Sequence, residues 1–220
     1  MKVAATRLFG VLTVVLAAVW FVSLSAAADG KVSKALTAGD FPLRINVGGE
    51  EYKDPRGNVW KADREFSEGS YGHVDGEELD RGTDLKVGNT DLVRVFQNER
   101  YNLTNYKVNV PAPGKYTVGL LWAETFDGIS GPAERVFAVS INGKKVLAAF
   151  DPAKEAGGVL KAVARSFVVE AKDLITIDFT ESVQSPMING IVVVSGDSEQ
   201  AQKTALEGVG KEFAKPAAGK

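Results

Sequence analysis

The chain has no cysteine and one histidine in its 220 residues. The missing cysteine excludes disulfides, thiolate zinc sites, a cysteine nucleophile and a lipoprotein anchor in one step. The lone histidine, His73, has no G-x-S-x-G context to serve, so a nucleophilic triad has no support; it reads as a loop histidine beside Tyr71. An excess of positive charge is missing too. There are 26 basic against 28 acidic residues and no basic patch, which argues against nucleic acid as a partner. Beyond Leu24 no apolar run is long enough to span a bilayer, so the mature form is expected not to cross a membrane. The search for an internal repeat also fails, because the loops between strand-like runs differ too much.

What is present begins with a targeting segment. Lys2 and Arg7 form a positive start, Leu8–Leu24 is apolar, and Ser25-Ala26-Ala27-Ala28 supplies small residues for cleavage. Residues 1–28 therefore read as a signal peptide cut after Ala27 or Ala28, giving a secreted or periplasmic protein; the alternative is an uncleaved anchor. Loss of Lys2 and Arg7 would take the net charge from −2 to −4. Residues 29–40 are polar and read as a linker. The Ala, Lys, Glu and Gly composition of residues 196–220 reads as a disordered tail, although Ala205, Leu206, Val209 and Phe213 could make one weak helix face.

Between these ends, residues 41–195 read as one all-β domain. Leu43, Ile45 and Val47 alternate with polar neighbours. So do Tyr116, Val118, Leu120 and Trp122, and then Phe137, Val139 and Ile141. Asn142-Gly143 between two such runs predicts a hairpin, since a type I′ turn needs positive φ at both central residues. Asp91–Phe96, Leu103–Val110, Val163–Val169, Leu174–Phe179 and Met187–Val194 read as further strands. The count is nine or ten, with turn signals about every ten residues and no convincing helix. This predicts an all-β sandwich or barrel, with a sandwich of mostly antiparallel strands preferred. Arg64–Gly88 and Ala123–Arg135 are long loops, and a rigid sheet carrying a long decorated loop usually works through it.

Loop chemistry narrows the function. Glu99, Glu124, Asp127, Asp151 and Asp178 are carboxylates of the kind a glycosidase pairs, but sequence spacing does not set their separation. No catalytic residue is assigned and the chain is read as a non-enzyme, with a polysaccharide-acting enzyme as the distant alternative. Asp75–Asp84 lacks the acid spacing of an EF-hand and reads as a solvated loop. No cofactor is expected, and a structural calcium ion there is the remaining alternative. Tyr71, Tyr101 and Phe126 stand among glycines, acids and amides. A ring face stacks on the apolar face of a pyranose while carboxylates and amides bond its hydroxyls.

Six segments carry a resemblance: Arg44–Gly49 (RINVGG), Tyr52–Trp60, Phe96–Asn102 (FQNERYN), Pro111–Phe126 (PAPGKYTVGLLWAETF), Val136–Phe150 (VFAVSINGKKVLAAF) and Ser185–Val193 (SPMINGIVV). In this order they resemble the malectin family of carbohydrate-binding domains. The resemblance implies a jelly-roll-like β-sandwich of the carbohydrate-binding-module type that binds glucose-containing oligosaccharides without catalysis, through aromatics and an acid in loops at one end. Tyr71 matches a loop tyrosine and Tyr101 the tyrosine of the RYN motif. Phe126 stands where the eukaryotic lectins have tyrosine, Asp127 where they have phenylalanine, and Gln184 near their binding aspartate. The expected carbohydrate-binding residues are thus Tyr71, Tyr101, Glu124, Phe126, Asp127 and Gln184. Asn46, Gly48 and Gly49 are expected to shape the first turn and Asn189 to hold the last strand. The expected partner is an oligosaccharide or polysaccharide; the alternative is a protein-interaction or structural envelope module, with a partner protein, on the same fold without sugar binding.

Overall fold

A computed structural model describes residues 34–217; the expected signal peptide and the start of the linker lie outside them. In chain order the elements are β1 (Leu43–Asn46), β2 (Tyr52–Lys53), β3 (Val59–Ala62), β4 (Tyr71–His73), β5 (Glu77–Asp80), α1 (Val93–Phe96), β6 (Asn98–Tyr101), β7 (Asn105–Asn109) and β8 (Gly114–Ala123). They continue with β9 (Val136–Ile141), β10 (Lys144–Phe150), α2 (Pro152–Ala156), β11 (Ala162–Ala171), β12 (Leu174–Val183), β13 (Met187–Ile188), β14 (Gly190–Ser195), α3 (Glu199–Ala205) and β15 (Ala214–Pro216). More strands form than the alternation predicts, because β2, β4, β13 and β15 are only two or three residues long and β5 (EELD) and β6 (NERY) are mostly polar.

A seven-stranded sheet, ordered β15-β11-β8-β14-β1-β3-β2, faces a five-stranded sheet, ordered β10-β9-β12-β7-β4. A small sheet, β13-β6-β5, lies beside them. Pairing is antiparallel except for β1 with β3 and β11 with β15. The all-β sandwich is therefore what the chain forms. Its inner core collects the alternating residues Ile45, Val118, Leu120, Trp122, Phe137, Val139 and Ile177. Trp122 and Phe150 lie 4.3 Å apart, and Phe137 closes the cluster. Each such side chain contributes about 1.5–3 kcal/mol on burial. Asn142 and Gly143 take φ values of 50° and 75°, as the hairpin between β9 and β10 requires.

A second apolar cluster covers the outer face of the seven-stranded sheet, and two expectations change there. Asp91–Phe96 is no strand: its last four residues form α1. Leu92, Val95 and Phe96 are all buried in this cluster, and their spacing of three and four is helical rather than alternating. The segment after Ser195 is no disordered tail as far as it is described. Ser198 caps α3, its hydroxyl accepting from the Ala201 amide at 3.1 Å. Leu206 and Val209 then bury beside Trp60, Leu121 and Val192, with Phe213 packed at the edge. Gly119 on β8 makes the approach close, since a Cβ there would lie 2.2 Å from the Ala205 carbonyl oxygen. The weak helix face visible in the sequence is thus a lid on the sheet. Leu36, in the expected linker, also packs on the inner core and donates to Gly69 O at 2.8 Å.

Candidate functional site

The loop from Glu124 to Arg135 leaves the end of β8, runs past β6, and meets the turn at Gln184–Ser185. The sequence ties these pieces together through buried polar groups. Gly48 lets the turn after β1 lie on β6, because its φ is 74° and a Cβ would come 2.1 Å from the Glu99 carbonyl oxygen. Asn46 donates to Glu50 O at 2.8 Å, so both residues shape that first turn. Asn189 is fully buried; it donates to Asn98 O and accepts from Ala123 N, each at 2.7 Å. That amide joins the start of β14 to β6 and to the end of β8.

Three ion pairs form the base of this end. Arg135 Nε donates to Glu124 at 2.6 Å, and its guanidinium also bonds Ser185 O. Arg81 donates to Glu99 at 2.7 Å, while the Thr125 hydroxyl donates to the other oxygen of Glu99 at 2.5 Å. Arg100 donates to Asp63 at 2.7 Å, and Asp63 also accepts from Tyr106 OH and Gly48 N, both at 2.8 Å. Burial pushes the Tyr106 phenol well above its ordinary value, and its bond to Asp63 adds to the shift. Glu124–Arg135 and Asp63–Arg100 are buried and Glu99 buries its side of the third pair, so they hold geometry at a desolvation cost that only satisfied partners offset.

On this base the structure brings some expected site residues together. Phe126 is exposed, with its ring over Gly128 and the Arg81 guanidinium 5.8 Å from its centroid. Its amide donates to Glu124 at 3.0 Å, so the buried acid sets the position of the exposed ring. Asp127 beside it is exposed. Gln184, also exposed, precedes Ser185 and has a φ of 59°. Tyr101 pairs with Met187 in the ladder of β6 and β13, which brings it next to the same turn. It is half-buried, and its hydroxyl donates to Glu77 at 2.7 Å. That bond raises the Tyr101 phenol and, with a second from Asn102, lowers the Glu77 carboxyl.

Two expected residues are not surface contacts. Tyr71 is not in a loop but in β4, and it is 2% exposed. Its hydroxyl donates to Ala62 O at 3.0 Å and the Arg64 guanidinium lies 4.4 Å over its ring. Burial raises its phenol above the usual value. Tyr71 faces the core because β4 adds to β7 opposite Val108, a pairing the glycines around it do not signal. Glu124 is 1% exposed and neutralised by Arg135. Sequence reasoning missed Arg81 and Arg135. Arg81 meets an acid 18 positions away, and nothing local marks that contact.

Backbone strain gathers at the same end. Asn102, Ala133, Leu160 and Gln184 all have positive φ, between 54° and 71°. Leu160 also donates its amide to Glu124 O at 2.8 Å. Side chains with a Cβ pay for this region, and such strain tends to collect at functional sites. The acids of Asp75–Asp84 are not simply solvated. Asp75 bonds Thr104, Glu77 bonds Tyr101, and Glu78 and Asp80 pair with Arg100 and Arg94. Among the described residues no group of three or more His, Asp or Glu is arranged to hold a metal ion.

Comparison with known proteins agrees with this architecture. The fold superposes on β-glucuronidase of Bacteroides uniformis with a TM-score of 0.66 and 26% identity, over 73% of this chain and 19% of that one. The extracellular domain of ANXUR2 from Arabidopsis thaliana gives a TM-score of 0.60 at 15% identity, over 72% of this chain and 49% of that one, a likeness of fold alone. The kinesin-like protein KIN-14E of Oryza sativa subsp. japonica is 27% identical over 164 residues, which is 71% of this chain and 14% of that protein. The chain thus spans a small part of two of these relatives and about half of the third. The model of the malectin domain matches residues 41–196, most of the sandwich and its loop end, and the chain therefore belongs to the malectin domain family, whose fold is of the carbohydrate-binding type.

Proposed function

We propose that the chain is an exported, non-catalytic module that binds a neutral oligosaccharide, glucose-containing or similar, at the end formed by Tyr101, Phe126, Asp127 and Gln184. The observation that carries this reading is Phe126: a large ring left exposed in a loop whose backbone is fixed from below by Glu124 and Arg135. A ring held in that way offers a stacking face for a pyranose, and Asp127 and Gln184 are free to bond hydroxyls. Glu99 and Glu124 are both committed to arginines, which supports a binding rather than a hydrolytic role. Similarity to part of a β-glucuronidase chain also favours a sugar ligand. Affinity is expected in the micromolar to millimolar range, about −4 to −8 kcal/mol, because the site is open.

A glycan array followed by calorimetry tests this, with Tyr101→Ala and Phe126→Ala as controls. Binding that both substitutions abolish supports the reading; a blank array with folded protein overturns it. Protein interaction without sugar is the second reading. Burial of Tyr71 and Glu124 favours it, since each removes a contact that a lectin site would use. Amino-terminal sequencing of the exported protein should begin at Ala28 or Asp29.

A further inference from the structure

The opposite end of the molecule carries a second binding feature. β11 pairs with β8 along its whole length, from Ala162 to Ala171, but with β15 only at Ala164, Arg165 and Ser166. Its outward backbone groups belong to the even-numbered residues: Ala164 N–H donates to Phe213 O at 3.0 Å, and Ser166 O accepts from Ala217 N at 2.8 Å. By that alternation Val168 and Glu170 also point their backbone groups outward. Asn142 takes the Glu170 carbonyl at 2.8 Å. The Val168 N–H and C=O and the Glu170 N–H have no backbone partner among the described residues. Val168 is 45% exposed, so the edge is open to a strand.

This edge is one wall of a groove of about 880 Å³ whose other wall is the hairpin of β9 and β10. Val146 and Val169 are among its apolar residues. Lys115, Lys144 and Lys145 also line it, and Lys172 stands beside Lys115 and Glu170 at its end. Among the described residues lysines form two ion pairs, Lys61 with Glu51 and Lys115 with Asp197, so Lys144 and Lys145 have no acidic partner. A chain of net charge −2 thus gathers four lysines, one of them bonded to Asp197, around an edge left unpaired among the described residues.

We propose that this groove docks an extended acidic segment of a partner protein, which adds a strand along Phe167–Ala171. Backbone bonds to Val168 and Glu170 supply register, and the lysines select acidic side chains. Five residues of edge span about 17 Å, enough for a short peptide. Lysines alone would suit any polyanion; the unpaired backbone groups are what favour a peptide. Phe167 pairs with Val118 on β8, five residues from its end at Ala123, so about 17 Å of strand separates the docking edge from the proposed carbohydrate end. The two can be occupied independently.

The test is an amide NMR titration of the full chain with an alternating Glu-Val octapeptide, and with a Lys-Val octapeptide as control. The expected result is shifts at Phe167–Ala171 and Lys144–Lys145 with the acidic peptide alone. Lys144→Glu with Lys145→Glu should weaken binding at least tenfold. Val168→Pro removes one outward N–H at a sheet edge, where proline is tolerated, and should abolish the shifts while the rest of the spectrum stays folded. Binding that survives Val168→Pro, or equal shifts on adding heparin or anionic vesicles, would show plain charge attraction and overturn the proposal. Concentration-dependent dimerisation that Val168→Pro prevents would also overturn it, by making a second copy the occupant.

Discussion

The proposed binding end has two halves that differ in almost every physical respect. Below lie Glu124–Arg135, Glu99–Arg81 and Asp63–Arg100, charged and paired, with every member but Arg81 nearly fully buried. Above lie Tyr101, Phe126, Asp127 and Gln184, exposed or half-buried, of which only Tyr101 makes a side-chain bond to another side chain. A sugar could reach only the upper half, yet the lower half decides where the upper half stands. The bond from the Phe126 amide to Glu124 links them, as do Arg81 over the Phe126 ring and Arg135 on Ser185 O. So in this molecule the buried acid Glu124 is a support, and the aromatic beside it is the group left exposed. Substitutions should separate these roles, with stability reporting on one half and affinity on the other.

The largest effect is expected from Glu124→Ala. It leaves Arg135 buried without its carboxylate, a loss worth about 3–5 kcal/mol. Urea denaturation should show the fall in midpoint. Replacing both partners, Glu124→Leu with Arg135→Met, removes the stranded charge and should recover much of the loss. If Glu124→Ala costs under about 1 kcal/mol, as an exposed pair would, the base is wetter than described and the division between halves fails.

Phe126→Ala should do the reverse. An exposed side chain contributes little to folding, so stability should stay within about 0.5 kcal/mol. Affinity for a bound oligosaccharide should fall tenfold or more, equivalent to about 1.4 kcal/mol, as read by calorimetry. A variant that binds as well as the parent would move the ligand away from this loop.

The same division explains what the sequence makes legible. The sandwich is readable because β8, β9 and β12 alternate over six to ten residues and because Asn-Gly dictates one turn type. Segments with a different period are misread. Leu92, Val95 and Phe96 look like a strand only if their spacing is ignored, and the C-terminal lid hides its few apolar residues among alanine and lysine. At the site, Phe126 is legible because exposure follows from local composition. Tyr71 is not, since its burial depends on pairing with β7, and Arg81 and Arg135 are not, since their partners come from distant or tertiary contacts. Sequence shows what a side chain can do; the pairing of strands decides whether it is left free to do it.

The smallest effect concerns Tyr101, the one member of the upper half held by a side-chain bond. Its hydroxyl bond to Glu77 raises the phenol and lowers the carboxyl. For the phenol, a raised folded value means the contribution is complete below the unfolded value of about 10 and is lost as pH rises through the folded one. For Glu77 the sign is opposite: the contribution is complete above about pH 4.3 and is lost as pH falls through the depressed folded value. The orientation of the Tyr101 ring should therefore hold across neutral pH and loosen at both extremes. Phenolate absorbance, compared between the parent and Tyr101→Phe, should place Tyr101 above an ordinary tyrosine. Glu77→Gln should return it toward the ordinary value and weaken sugar binding by only a few-fold, because the ring remains while its hydrogen-bonded anchor is lost. A Tyr101 that titrates normally in the parent would mean the bond to Glu77 is not kept in solution, and Tyr101 would then belong wholly with the exposed half.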